Sequence, residues 1–226
     1  MSRRLLADLL DRNDAHVASL GAGALSAHRD GQRPPVVSVC CSDSRVSQER
    51  MWAADPGYLF TVGNIGNRVS TDVDGERVLS GSVAYPLCHT DTDVVVVVGH
   101  TGCGAVGAAL DAARDGPIPT DPGIRSDVED LLPIVERGLD AAVSETAAAS
   151  VRNQLVEYNV HEQVALVRES NAAGDADVYG FVYDFHGAYG DRDGAAYLVN
   201  ANGTREVDRL RGLVDDSHAD RVSTLL

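Results

Sequence analysis

The segment VVVVVGHTGCGAVGAAL, residues 94–110, decides the fold of this chain. Its five consecutive valines predict a strand that is buried on both faces, as in a parallel sheet covered by helices. A glycine-rich turn follows, and the small residues after it predict a helix that packs closely against its neighbours. The segment therefore predicts a strand–turn–helix unit of an α/β protein.

Strand and helix patterns alternate along the rest of the chain. The predicted strands fall at residues 36–40, 58–62, 94–98 and 178–185, with a shorter edge strand at 195–204. The predicted helices fall at residues 76–88, 105–113, 127–142 and 150–171. This order predicts an α/β fold with a mainly parallel twisted sheet, about four parallel strands plus an edge strand, and flanking helices.

The N-terminal residues predict an amphipathic helix. Asp8 and Asp11 interrupt the apolar stretch that an export signal would need, and no other segment approaches a membrane span. We expect a single domain over residues 1–226, with residues 1–30 as an N-terminal helical arm that needs a partner surface. The leucines that recur at helical spacing are Leu5, Leu6, Leu9 and Leu10.

The charge balance excludes some partners. The formal net charge is -15, and all 19 basic residues are arginine. Such a field repels nucleic acid and anionic membranes, so neither is an expected partner. The acid excess either serves solubility alone or adapts the protein to molar salt, where the Debye length is about 3 Å. We favour the second interpretation, in which the protein comes from a halophilic microbe. In the expected cytoplasmic setting the four cysteines are thiols or metal ligands rather than disulfides.

The glycine-rich turn also matches a dinucleotide-binding pattern. Gly102, Gly104 and Gly107 spell G-x-G-x-x-G. In an NAD-dependent oxidoreductase an acidic residue ends the next strand about 20 residues later. Here Asp121 and Asp127 lie in or beside a proline-rich loop, far from the next predicted strand. We therefore disfavour a phosphate-binding loop.

A metal site is the stronger interpretation of the same turn. His100 and Cys103 are three residues apart, and Cys41 stands at the carboxyl end of the first strand. Ligands gather outside the carboxyl ends of strands in open α/β sheets, so the three side chains can meet there. Two cysteines and one histidine form a set that catalytic zinc uses with a fourth position open. Asp43 and Arg45, beside Cys41, are either a weak loop ion pair or a catalytic pair.

These residues carry a resemblance to a known family. CSDSRV at residues 41–46, followed by GHTGCG at residues 99–104, resembles the β-class carbonic anhydrases, and the similarity runs from residue 32 to about residue 189. The resemblance implies reversible hydration of CO2 to bicarbonate and a proton, with zinc on Cys41, His100 and Cys103. It also implies that Asp43 and Arg45 act together, because in the family the arginine holds the aspartate to accept a hydrogen bond from the attacking hydroxide.

The resemblance further implies a substrate pocket and an assembly. Gln32, Phe60, Ile65 and Tyr85 match positions that line a small apolar CO2 pocket, and Gly102 matches a position whose backbone N–H meets bicarbonate. The three apolar side chains could equally be core residues. The resemblance implies a dimer with N-terminal helices packed across the partner, and we predict a homodimer or a dimer of dimers.

Three other points bear on the function. Hydrolysis of carbon disulfide or carbonyl sulfide on the same fold is an alternative, as is a non-catalytic zinc-stapled binding module, which we expect to lack Asp43 or Arg45. One allosteric subgroup has a second, inhibitory bicarbonate site, but Ser38 and Gly63 replace two of its groups here and Tyr183 alone is matched. We therefore expect Asp43 to pair with Arg45 at neutral pH and to leave the metal open.

Overall fold

The computed structural model describes residues 2–141, 143 and 150–226. The chain divides into two compact units, residues 1–32 and 33–226. The first unit contains helix α1 (Ser2–Ser19) and a short 3-10 helix (Ser26–His28), so the predicted N-terminal helix is confirmed. Its leucine face is exposed to solvent, with 62% of Leu5, 60% of Leu6, 57% of Leu9 and 60% of Leu10 accessible.

The second unit is built on a five-stranded sheet of order β2-β1-β5-β6-β7. The first four of these strands are parallel, and β7 runs antiparallel to β6 at the edge. The predicted mainly parallel sheet with an edge strand is therefore confirmed. The strands are β1 (Val36–Cys41), β2 (Leu59–Asn64), β3 (Ser70–Val73), β4 (Glu76–Leu79), β5 (Val94–His100), β6 (Asp177–Asp184) and β7 (Ala195–Ala201).

Helices flank this sheet, and α6 packs against β5 and β6. At Gly99 a Cβ would lie 2.7 Å from Val160 of α6, so glycine is needed where this helix crosses β5. None of the helices in the described ranges has both the length and the apolar character that a bilayer crossing requires. The helices are α2 (Gln48–Met51), α3 (Gly81–His89), α4 (Gly104–Ala113), α5 (Pro122–Ala141), α6 (Val151–Glu169) and α7 (Val207–Arg211).

The predicted helix at residues 76–88 is partly wrong. Residues 76–79 form β4, which pairs antiparallel with β3 in a separate hairpin, and α3 begins only at Gly81. The turn consists of Asp74 and Gly75, with φ values of 53° and 84°. Two consecutive residues with positive φ are typical of a tight hairpin turn, which overrides the helical spacing of the apolar residues that follow.

Helix α5 begins earlier than predicted, at Pro122. The Asp121 carboxylate accepts hydrogen bonds from the backbone N–H groups of Gly123 (3.0 Å) and Ile124 (3.2 Å), which caps the helix. Proline fits the first helical position because its missing N–H has no partner there. The proline-rich loop is therefore shorter than the sequence indicated, and the predicted end of this helix at residue 142 lies outside the described residues.

Candidate metal centre

The three predicted ligands form one buried cluster. Cys41 ends β1, His100 ends the neighbouring parallel strand β5, and Cys103 lies immediately before α4. Because β1 and β5 pair in register from Val36 opposite Val94, their carboxyl ends meet at the same edge of the sheet. The sulfur and ring nitrogen atoms of the three side chains all lie within 4.8 Å of one another.

The imidazole of His100 has one nitrogen engaged and one free. Its Nδ1 lies 3.1 Å from the carbonyl oxygen of Thr101, a contact that assigns the ring proton to Nδ1. Nε2 is buried and has no hydrogen-bond partner among the described residues. A buried polar atom without a partner costs about 1–3 kcal/mol, and a neutral Nε2 beside two sulfurs has a lone pair that could bind a metal ion.

The two thiols of the cluster compete for one proton. The pKa of Cys41 is lowered because Cys103 donates a hydrogen bond to its sulfur, and the pKa of Cys103 is raised because that bond retains its proton. A divalent cation at this place would replace the shared proton and neutralise two buried thiolates. The Cys–His–Cys set therefore fits a zinc ion with a fourth position left open.

Asp43 and Arg45 form a bidentate ion pair beside this cluster. Arg45 donates from Nε to Oδ1 of Asp43 (2.9 Å) and from Nη2 to Oδ2 (2.6 Å), and its backbone N–H also reaches Oδ1 (3.0 Å). These bonds hold the pKa of the Asp43 carboxyl far below its usual range. The guanidinium also lies 4.8 Å from the centroid of the Phe185 ring, which fixes it from a second side. The carboxylate is thus held charged, and the expected pairing with Arg45 is present.

The predicted pocket residues are only partly brought together. The rings of Phe60 and Tyr85 lie 6.1 Å apart. Tyr85 is 48% exposed and Ile65 is 41% exposed, so these two are not core residues. Gln32 belongs to the other unit, so its place in a substrate pocket stays a prediction.

The contact of Gly102 with bicarbonate stays a prediction, because its N–H has a partner within the protein. Its backbone N–H already donates to Oδ1 of Asn153 at 2.9 Å. A bicarbonate ion could receive this hydrogen bond only if Asn153 gave it up. Gly102 has a φ of 69°, and a Cβ there would lie 2.7 Å from the ring of His186, so the glycine serves the conformation and packing of this turn.

Asp184 is a further polar residue near the cluster, which the sequence analysis did not single out. It is 1% exposed at the end of β6. Its carboxylate accepts hydrogen bonds from the Thr101 hydroxyl (3.2 Å) and from the backbone N–H groups of His186 (2.9 Å) and Tyr189 (2.8 Å). Asp184 stands at the carboxyl end of a strand beside β5, and this position could have indicated from the sequence that it lies near the site.

Comparisons with known proteins agree with this architecture. The family described as carbonic anhydrase matches residues 36–189. A carbonic anhydrase of Pseudomonas aeruginosa is 31% identical over 172 residues, which cover 73% of this chain and 76% of that protein. Carbonic anhydrase 2 of Mycobacterium tuberculosis is 31% identical over 160 residues, which cover 68% and 71% of the two chains.

Solved structures share the fold at lower identity. A β-carbonic anhydrase of Coccomyxa, solved in complex with acetazolamide, has a TM-score of 0.68 at 23% identity, with 93% of this chain and 90% of that chain covered. One of two tetrameric β-carbonic anhydrases of Sordaria macrospora has a TM-score of 0.63 at 21% identity, with 80% and 92% covered. This chain therefore has the fold of the β-class enzymes.

Proposed function

The chain belongs to the carbonic anhydrase family, and from that membership and the buried Cys–His–Cys cluster we propose that it is a zinc enzyme that catalyses the reversible hydration of CO2 to bicarbonate and a proton. The observation that carries the proposal is the unpartnered Nε2 of His100, buried beside two sulfurs and next to a charged carboxylate. Cys41, His100 and Cys103 would hold the metal. When bound there, zinc supplies Lewis acidity that lets a water molecule ionise near neutral pH.

Asp43 orients the nucleophile in this proposal. Its Oδ1 already accepts two hydrogen bonds, whereas Oδ2 accepts one and lies 3.8 Å from Nε2 of His100. Oδ2 therefore keeps an acceptor position on the side of the cluster. A carboxylate that stays ionised only accepts hydrogen bonds, so it directs the proton of a hydroxide towards itself and the lone pair towards CO2. Arg45 maintains this charge and orientation.

The proposed substrate pocket is apolar. Phe60, Ile65 and Tyr85 are partly exposed, as residues that line an open pocket would be, and CO2 has no charge to pair. Carbon disulfide and carbonyl sulfide are also small and apolar, so their hydrolysis is the alternative activity. The Asp43–Arg45 pair distinguishes either activity from a non-catalytic zinc-stapled module, which needs no oriented carboxylate.

The assembly and setting complete the proposal. Helix α1 exposes four leucines to solvent, which supports a homodimer or a dimer of dimers in which this face is covered by the partner. The tetrameric relatives from Sordaria macrospora support the larger assembly.

The net charge of -15 supports a protein that works in concentrated salt. The cysteines at positions 40, 41, 88 and 103 form no disulfide, which supports a reducing, cytoplasmic setting.

Two measurements on one preparation test the proposal. Metal analysis of the purified chain should give one zinc per chain. Hydration of CO2, followed with a pH indicator, should stop when a chelator removes the zinc and resume when zinc is restored. Rapid hydrolysis of carbon disulfide with no acceleration of CO2 hydration would favour the alternative substrate. Bound zinc with neither activity would favour the non-catalytic module.

A further inference from the structure

The peptide between Thr101 and Gly102 faces His100 on one side and α6 on the other. Its carbonyl oxygen lies 3.1 Å from Nδ1 of His100, and because a carbonyl only accepts, the imidazole donates this hydrogen bond. Its N–H donates to Oδ1 of Asn153 at 2.9 Å. One peptide therefore joins the imidazole of the proposed metal centre to a side chain on α6.

The other polar groups of Thr101 are anchored to β6 and to the residue that follows it. The Thr101 backbone N–H donates to the carbonyl oxygen of Tyr183 at 3.0 Å. Its hydroxyl donates to Oδ1 of Asp184 (3.2 Å) and accepts from the backbone N–H of Phe185 (3.2 Å). These contacts hold the buried threonine in place, but they do not fix the rotation about its Cα–C bond, which turns the carbonyl group.

Backbone sterics do not fix this rotation either, because the next residue is glycine. Turning a peptide over changes the φ of the residue that follows it, and the φ of Gly102 is 69°. Residues with a side chain rarely adopt this value, whereas glycine adopts positive and negative φ about equally well. Two orientations of the peptide are thus open to the chain, and hydrogen bonds select between them.

Asn153 is fixed at a place where it can make this selection. It lies in the first turn of α6, and its backbone N–H donates to the carbonyl oxygen (2.9 Å) and to the hydroxyl (3.2 Å) of Ser150. Because the Gly102 N–H can only donate, the oxygen of the Asn153 amide faces it. A peptide is planar, so an acceptor for its N–H also sets the direction of its carbonyl. The acceptor on α6 therefore favours the orientation in which the Thr101 oxygen faces His100.

We propose that Asn153 is a positioning residue for the metal centre, which holds the peptide between Thr101 and Gly102 so that its carbonyl keeps the His100 proton on Nδ1 and leaves Nε2 free as a ligand. The inference rests on the proposed zinc site, because it concerns how that site orients its imidazole. The partner of the second ring nitrogen fixes the tautomer and orientation of a ligand histidine, and its loss lowers metal affinity roughly 10-fold to 100-fold. Asn153 itself touches neither metal nor substrate in this proposal.

The test compares two variants of Asn153 with a control in the same turn of α6. Asn153→Ala removes the acceptor of the Gly102 N–H. Asn153→Asp keeps an oxygen acceptor at the same place. The control is Ser150→Ala, which removes the hydroxyl that caps α6 and weakens this end of the helix without removing the acceptor. Thermal unfolding of each variant measures the loss of stability separately.

Two readouts besides activity report on the imidazole of His100. One is the rate at which a chelator takes zinc from the loaded protein. The other is the rate at which the His100 Nδ1 proton exchanges with solvent, followed by NMR of the zinc-loaded protein with ¹⁵N-labelled histidine. In Asn153→Ala we expect zinc loss to be about 10-fold faster or more, together with faster exchange of the Nδ1 proton. Asn153→Asp and Ser150→Ala should match the wild type in both readouts.

The outcomes separate this inference from the proposed function. A wild-type chain that binds zinc, with Asn153→Ala unchanged in release rate and proton exchange, would overturn the inference and leave the metal centre intact. Equal effects in Asn153→Ala and Ser150→Ala would show that only the end of the helix matters, which also overturns it, as would an Asn153→Asp variant as defective as Asn153→Ala.

A further variant covers a failure to fold. If Asn153→Ala does not fold, Asn153→Leu fills a similar space without an acceptor and should change both readouts in the same direction. Wild-type readouts in Asn153→Leu would overturn the inference. A wild-type chain that takes up no zinc would overturn the proposed function and this inference together.

Discussion

The Oδ2 atom of Asp43 lies 3.8 Å from Nε2 of His100. The first residue follows β1 and the second ends β5, so the parallel pairing of two strands brings a charged carboxylate next to an unpartnered imidazole nitrogen. Arg45 holds both oxygens of the carboxylate without occupying every acceptor position of Oδ2. A metal ion at the cluster would therefore have an oriented hydrogen-bond acceptor beside its open position.

Arg45→Ala should show that the orientation of the Asp43 carboxylate affects turnover without affecting metal binding. Arg45 is not part of the Cys–His–Cys cluster, so we expect zinc content to stay near one per chain. Turnover should fall about 100-fold or more, the usual effect of removing one preorganised polar group from an active site. The control is Arg192→Ala, which breaks an exposed pair with Asp220. Unchanged turnover in Arg45→Ala would contradict the proposed role of the pair.

Removal of any one ligand should abolish most zinc binding. Cys41→Ser, His100→Ala and Cys103→Ser each leave two protein ligands, and a site with three tolerates little subtraction. Cys88→Ser is the matched control, because Cys88 is an exposed thiol outside the cluster. Metal analysis after gel filtration measures the result. Full zinc retention in all three ligand variants would mean that the metal binds elsewhere or not at all.

The pH dependence of activity should not come from Asp43. Its pKa lies below the ordinary value of about 3.9, so its pairing with Arg45 is fully present above that pH and is lost only as the pH falls through the lower, folded-state pKa. An acid limb near neutral pH would instead report ionisation of the nucleophile. We therefore expect Asp43→Asn to lower the rate at every pH and to keep an acid limb in the profile. Loss of that acid limb would assign the titration to Asp43.

We expect the leucine face of α1 to form the interface between protomers. Deleting residues 1–20 removes the four exposed leucines of α1, and sedimentation should then show monomers in place of dimers or larger assemblies. Arg12→Gln breaks the exposed Arg12–Asp8 pair on the same helix and should leave assembly unchanged. An oligomer that survives the deletion would place the interface outside α1.

Salt should stabilise the protein. Charges that sum to -15 repel one another in dilute buffer, and concentrated KCl screens this repulsion. Melting temperature and activity should therefore both rise from low to molar KCl. A melting temperature that does not change over this range would contradict the proposed adaptation to salt and would not affect the catalytic proposal.

The sequence predicted the parts of the molecule that depend on local patterns. The valines of β5 predicted a buried parallel strand, and the positions of Cys41, His100 and Cys103 at strand ends predicted their meeting. The contacts of Arg68 with Asp127 and Asp130 join positions far apart in the sequence, and no local pattern indicates them.

Sequence analysis also did not predict which polar groups bind one another within the fold. The engagement of the Gly102 N–H by Asn153 and the burial of Asp184 both depend on how loops pack against β6 and α6. The hairpin of β3 and β4 was missed because two positive φ values in its turn outweighed an apolar spacing that resembles a helix. Tertiary packing decided the first two of these features, and the local turn at Asp74 and Gly75 decided the third.

The most direct test of the central claim is stopped-flow hydration of CO2 by the zinc-loaded wild type, beside Cys41→Ser in the same buffer. We expect rapid acidification with the wild type and a rate near the uncatalysed one with the variant, because the variant lacks one of the three zinc ligands. A zinc-loaded wild type that hydrates CO2 no faster than buffer alone would contradict the proposed function.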